Sequence, residues 1–274
     1  MTAVRMRSAI LMALASPMAL ADSAQSQANG FVEDSTWAVN NRMGYDHRGY
    51  RHGASNSGAR NAYKAKTERN GFAEEWAYGL MGTLQSGFTQ GLIGVGVDAH
   101  AYLGVKLDSG GGRAGKARLL ELDKDGYPKD NYGRGGAAIK LRLSNTEVSY
   151  GEQRVKTPVF SSSDSRLLPE TATGVFVTSN EFNALNIVGG HFTASTDRNA
   201  SSHDQGLVVN YSNAPKGDAF DLAGLVYTPG KTFSASLYTP TLQRSPGHRG
   251  RRPVRRLCAE PGRPSGPADR KSVV

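Results

Sequence analysis

The chain has 274 residues, with 33 Lys plus Arg against 24 Asp plus Glu for a formal charge of +9, 33 Gly and a single Cys. One Cys excludes an intramolecular disulfide framework and a cysteine zinc site, and without a Gly-X-Y period collagen is excluded too. The charge does not argue for nucleic acid, because it resides at the ends: Thr241–Val274 holds nine basic and two acidic residues, Arg5 and Arg7 add two more, and the body from Asp22 to Pro240 is neutral.

Residues 1–21 read MTAVRMRSAILMALASPMALA, two arginines followed by an apolar run that closes on Ala19-Leu20-Ala21. This is the order of a secretory signal peptide, and the run is too short to span a bilayer as a helix. No Cys follows the cleavage site, so no N-terminal lipid anchor is expected.

From Ser35 onward the period is two, the mark of strands with two unlike faces. A first strand over 36–45 sets Trp37, Val39, Met43 and Tyr45 against Asn40 and Arg42, and a second over 75–88 carries its apolar residues at even positions. The third is the clearest: Ile93, Val95, Val97, Ala99, Ala101, Leu103, Val105 and Leu107 alternate with Gly94, Gly96, Asp98, His100, Tyr102, Gly104 and Lys106. At about 3.3 Å per residue, a strand of that length crosses a tilted bilayer path. Six more follow over 137–144, 147–151, 174–179, 183–192, 220–227 and 232–239.

The connections alternate long and short, with long ones near 46–74, 108–136, 152–173 and 193–219. That order, with an apolar face at every strand, predicts an all-β fold: an antiparallel transmembrane β-barrel of porin type, with short turns at one rim and long loops at the other. Trp37, Tyr45, Trp76, Tyr78, Phe88 and Tyr227 lie at or near strand ends, as interfacial girdles require. A soluble sandwich is the competing fold. Leu207–Tyr211 fits the order only as part of a loop.

The final segment breaks the pattern. Thr241–Val274 carries five Pro, four Gly and eight Arg without any strand or helix period. It reads either as a basic arm for an anionic surface or, preferred here, as an aberrant tail translated from a shifted frame. The organisation expected is therefore a signal peptide at 1–21, half of a barrel at 22–240 and a tail at 241–274.

Several runs resemble the OprD family of substrate-specific outer-membrane porins of Gram-negative bacteria. They include Gly30-Phe31-Val32-Glu33-Asp34-Ser35, EEWAYG, LQSGFTQGLIGVGVDAHAYLGVKLDSGGGRAG, KLRLSNTEVSYGEQ and TPVFSSSDSRLLPET, and the likeness extends from about Asn29 to Thr239. The resemblance implies an eighteen-stranded barrel narrowed by an inward-folded third loop, passing small carboxylate-bearing solutes such as amino acids or aromatic acids. The nine strands here are then an incomplete barrel, truncated or frameshifted after about residue 240.

Alternation places Arg42, Lys106, Lys140 and Arg142 on the polar, lumen-facing side, where arginine suits a carboxylate because its planar fork engages two oxygens. By resemblance the third long loop forms the eyelet and brings Arg154, Lys156, Ser161, Asp164, Arg166 and Glu170 to the solute, the carboxylates facing a substrate amine. The protein is expected to be no enzyme, to need no cofactor or metal and to work by passive diffusion in the outer membrane. Expected partners are small anionic or zwitterionic solutes, outer-membrane lipid and lipopolysaccharide, and the barrel assembly machinery; nucleic acid is not among them, and homo-oligomer formation stays open. Two alternatives stand: a truncated fragment without function, and a barrel hydrolase using His100, His191 or His203. A G-x-x-x-x-G-K run at Gly110–Lys116 lacks the following Ser or Thr and predicts no nucleotide site. Asp123-Lys124-Asp125-Gly126 reads as a turn and not a calcium loop.

Overall fold

The computed structural model describes residues 23–109, 113–114, 117–207, 217–230 and 232–243. The expected signal peptide, part of the Gly110–Lys116 run, residues 208–211 and residues 244–274 of the tail lie outside them.

Nine strands form one sheet: β1 (Thr36–Gly49), β2 (Phe72–Gln85), β3 (Ile93–Asp108), β4 (Asn131–Leu143), β5 (Thr146–Gln153), β6 (Thr171–Phe182), β7 (Leu185–Thr196), β8 (Ala219–Tyr227) and β9 (Ala235–Gln243). Each pairs antiparallel with its neighbours in sequence, in the order β1 to β9. A sandwich would need two packed layers; the described strands make a single one. Every expected strand is present, but most extend past the expected bounds, and β9 runs to Gln243. The sequence pattern ended where glycine or polar residues begin, whereas the backbone ladder continues as long as a neighbour pairs with it. Leu207 makes an isolated bridge to Gly217 and belongs to the loop after β7.

Exposure runs opposite to that of a water-soluble sheet. Ile93, Val95, Leu103 and Leu107 of β3 are all 40% exposed or more, while Gly94, Gly96, Tyr102 and Gly104 between them are buried. The same inversion holds for Trp37, Met43, Leu80, Ile139, Leu141, Tyr150 and Leu237. An apolar outer wall of this extent on a water-facing protein would be an aggregation surface; facing lipid, it is satisfied.

The core lies in the concavity and is made largely by loops. Leu119 and Leu120 from the second long loop and Leu167 and Leu168 from the third pack with Ala77, Met81, Tyr102 and Tyr132 of the wall. A second cluster joins Val155, Val159 and Phe160 to Phe192, Phe220, Leu222 and Tyr238. Glycines on the wall make room for this. A Cβ at Gly79 would stand 2.9 Å from Leu167 Cγ and 3.2 Å from its carbonyl oxygen, so any side chain there displaces the third loop.

At the short-turn rim, residues 23–35 fold back beneath the sheet. Gln25 is buried, donates to the Thr89 and Gly91 carbonyls at 2.9 and 3.1 Å, and its backbone N–H reaches the Ser144 carbonyl. The Asp34 carboxylate accepts from the Asn29 backbone and side-chain N–H groups at 2.9 and 2.8 Å, and these bonds hold its pKa below the ordinary carboxylate value. A depressed folded pKa contributes stability present above the unfolded value and lost as pH falls through the folded one. Amide protection at Asn29 is therefore expected to stay flat above about pH 4 and fall only in stronger acid, with the pH dependence absent in Asp34→Asn; protection that falls near neutral pH would refute this.

Candidate functional site: a constriction built from the third loop

The third long loop, residues 154–170, leaves β5 and crosses the concavity to the inner face of β1 and β2. Leu167 seats against Gly44 and Gly79, and Arg42 of β1 reaches it from below. Arg42 Nη1 meets Asp164 Oδ1 at 3.0 Å and also donates to the Arg166 carbonyl. Arg154 Nη2 meets the other Asp164 oxygen at 3.0 Å. Asp164 thus sits between two guanidinium groups, each pair roughly a third to a half exposed. Exposed pairs of this kind contribute only about 0.2–1 kcal/mol, so neither arginine is held tightly by Asp164.

Beneath the loop lies a cavity of about 330 Å³ whose lining includes Asp98, His100, Lys140, Glu147, Glu152 and Arg154. Lys140 is buried against Asp98 Oδ1 at 2.6 Å. Its ammonium and the Arg142 guanidinium lie 4.9 and 3.9 Å from the centre of the Phe88 ring. Phe88 is buried, so the expectation that it belongs to an outer girdle is wrong: the chain leaves β2 after Gln85 and turns this ring inward. Arg142 is engaged by Gln25, Nε to Oε1 at 3.1 Å.

The remaining expected residues separate. Lys106 pairs with Asp130 near the long-loop rim. Lys156 is exposed, its backbone bridged to Ser161. The Arg166 side chain turns back on the Ser165 carbonyl at 3.3 Å. Glu170 is taken by Arg198 at 2.9 Å and by the Ser163 N–H at 3.1 Å. The structure therefore gathers Arg42, Arg154 and Asp164 into one group and Lys140 and Arg142 into another nearer the short turns.

Two features of the lumen escaped the sequence reading. Arg134 of β4 is buried and donates to the carbonyls of Asp197 and Ala200, each at 2.7 Å, and to that of Pro169. It ties the third loop to the fourth. Extending the period of β4 back from Ala137 would have placed Arg134 inward, but Gly133, Gly135 and Gly136 hid the alternation. Glu152 is the second: His203 Nδ1 lies at 2.8 Å, His100 Nε2 at 3.5 Å, and the Thr171 hydroxyl donates to it. These two histidines share one carboxylate, while His191 bonds Asp221 at 2.6 Å on the outer face. The Thr196 hydroxyl is 3.5 Å from the same His203 nitrogen that Glu152 engages, an arrangement that prepares no nucleophile. Asp123 Oδ1 accepts from the Asp125 and Tyr127 N–H groups, the turn the sequence implied.

A meandering antiparallel wall, apolar on its outer face, with a long loop folded across its concavity, defines the class: a porin-type β-barrel, present here as an open sheet. The family model described as outer membrane porin, OprD family, matches residues 29–244, and the chain belongs to that family. It is 38% identical over 221 residues to Porin D of Pseudomonas aeruginosa, covering 81% of this chain and 46% of that protein. Among solved structures, P. aeruginosa OccK9 (OpdG) superposes with a TM-score of 0.67 at 35% identity, covering 78% of this chain and 52% of that one. P. aeruginosa OpdK with vanillate gives 0.65 at 33%, covering 78% and 50%. The chain spans about half the length of the relatives it matches.

Proposed function

We propose that this chain supplies half the wall and the eyelet of an outer-membrane pore through which small carboxylate-bearing solutes, such as amino acids or aromatic acids, diffuse passively after export of the protein by its signal peptide. The observation that carries the reading is Asp164 held between Arg42 and Arg154 on a loop that crosses the lumen. A solute carboxylate takes the place of Asp164 on one fork, then meets Arg142 and Lys140 further down. Asp164 and Glu170 offer acceptors for the amine of a zwitterion. The solved relative with vanillate, an aromatic carboxylate, supports the solute class.

Closing the wall sets a condition. β1 and β9 run in the same direction, since eight antiparallel steps separate them. Two copies in one orientation would therefore abut through parallel strands, whereas antiparallel closure calls for a complement with an odd number of strands. Open edges within lipid are not tolerated. The alternative reading is a fragment that neither inserts nor conducts.

Planar-bilayer recording separates the two. With the chain refolded together with a complement of odd strand number that closes the wall, the porin reading expects discrete conductance steps that benzoate blocks better than benzylamine does. Arg154→Ala weakens that block about tenfold, the scale of one charge-assisted bond, and Asp164→Asn strengthens it by freeing both forks. The fragment reading expects no steps. Steps with no preference for benzoate, or with both variants moving the block alike, overturn the carboxylate assignment.

A further inference from the structure

The first long loop, residues 50–71, holds five cations, Arg51, Arg60, Lys64, Lys66 and Arg69, against the single acid Glu68, a net +4. The residue ranges of the second and third long loops each carry a net +1, and that of the fourth −1. Pairing separates them further. In the other loops Arg113, Arg118, Lys129, Arg154 and Arg198 meet carboxylates, and only Lys124, Lys156 and Arg166 among their described cations form no ion pair. None of the five cations of the first loop forms an ion pair among the described residues.

This loop is nonetheless built, not slack. Asn56 is buried, its side chain donating to the Arg113 carbonyl at 3.1 Å and accepting from the Gly58 N–H at 2.9 Å. Two 3-10 turns, Ala59–Tyr63 and Lys66–Glu68, order the stretch that carries Arg60, Lys64, Lys66 and Arg69. Arg60 stacks over Tyr127 at 5.1 Å and bonds the Asp125 carbonyl, which docks the loop on its neighbour. Arg51 and Lys66 remain exposed, and Tyr63 is 69% exposed.

The level of the loop follows from the register of β1 and β2. Tyr45 and Trp76 are register partners, both exposed on the outer apolar face, where an aromatic girdle belongs. One step higher His47 stacks on Phe72 at 5.8 Å, and the basic loop begins directly above. In a membrane the level just above an aromatic girdle is that of the lipid headgroups.

We propose that the first loop is a docking surface for phosphorylated lipid headgroups of the outer leaflet, with Arg51, Lys64 and Lys66 as its phosphate-facing cations. Unpaired cations at headgroup height gain a counter-charge there that the protein itself does not provide. Anchoring this end of β1 at the rim would also steady the strand that carries Arg42. The inference rests on the barrel orientation adopted above.

The test is binding of the full-length chain, folded in detergent, to bis-phosphorylated lipid A, to lipid A stripped of both phosphates, and to inorganic phosphate. Each basic residue near an anionic surface is worth about a fivefold change, so the triple variant Arg51→Gln, Lys64→Gln, Lys66→Gln is expected to bind bis-phosphorylated lipid A about a hundredfold more weakly. Lys124→Gln, in the second loop, should bind as the parent does. Binding should weaken as salt rises. Equal binding of the stripped lipid overturns the proposal, as does a triple variant that folds by circular dichroism yet binds undiminished. Inorganic phosphate competing at equal concentration would reassign the loop to capture of free anions. Insertion into phosphatidylcholine vesicles, followed by protease protection, is scored separately, so that failure of the barrel reading is told apart from failure of the lipid site.

Discussion

Arg134→Met is expected to destabilise the folded chain by about 3 kcal/mol and to release the third and fourth loops together. Three backbone carbonyls, from Pro169, Asp197 and Ala200, converge on one buried guanidinium. Methionine fills a similar volume but donates nothing, and each buried carbonyl left unpaired costs about 1–3 kcal/mol. Some of that is recovered where a loop moves out to water, which is why the stability loss stays near the lower end while loop mobility rises. Guanidinium unfolding followed by Trp37 and Trp76 fluorescence measures the first effect; trypsin cleavage at Arg198, a site both variants keep, measures the second. Arg166→Met is the contrast, since its side chain makes only a 3.3 Å bond to the Ser165 carbonyl. If the two variants unfold and cleave alike, Arg134 is not the clamp.

The second large effect falls on a position that touches almost nothing. Ala101 lies mid-strand on the outer face of β3, exposed, with Gly82 and Gly135 as its register partners. An arginine there meets no steric obstacle. In water such a change shifts stability by no more than about 0.5 kcal/mol; at the midplane of a bilayer it costs about 2–4 kcal/mol. Ala101→Arg is therefore expected to lower the unfolding midpoint strongly in phosphatidylcholine vesicles. A parent-like midpoint in vesicles would mean that this face does not meet hydrocarbon. The substitution thus tests the membrane assignment itself, apart from any question of solute.

Much of the wall was legible because a strand's two faces are written at period two. Ile93 to Leu107 announces both the strand and its lipid side, and Arg42, Lys106, Lys140 and Arg142 follow as inward residues by alternation alone. Legibility failed where glycine replaced the marker. Gly133, Gly135 and Gly136 concealed the upper half of β4, and Arg134 with it. It failed again at Phe88, whose place near a strand end suggests a girdle residue although the turn carries it inside.

The sequence by itself determined the class of fold, the faces of the strands and the alternation of loops, because these depend on neighbours two residues apart or on local turn chemistry. Only the tertiary structure decided which charges meet. Arg42 and Asp164 stand 122 positions apart and Arg134 and Ala200 stand 66 apart. Their encounter depends on how the third and fourth loops fold into the concavity, a packing of Leu119, Leu167 and Leu168 against glycines of the wall that no local period records.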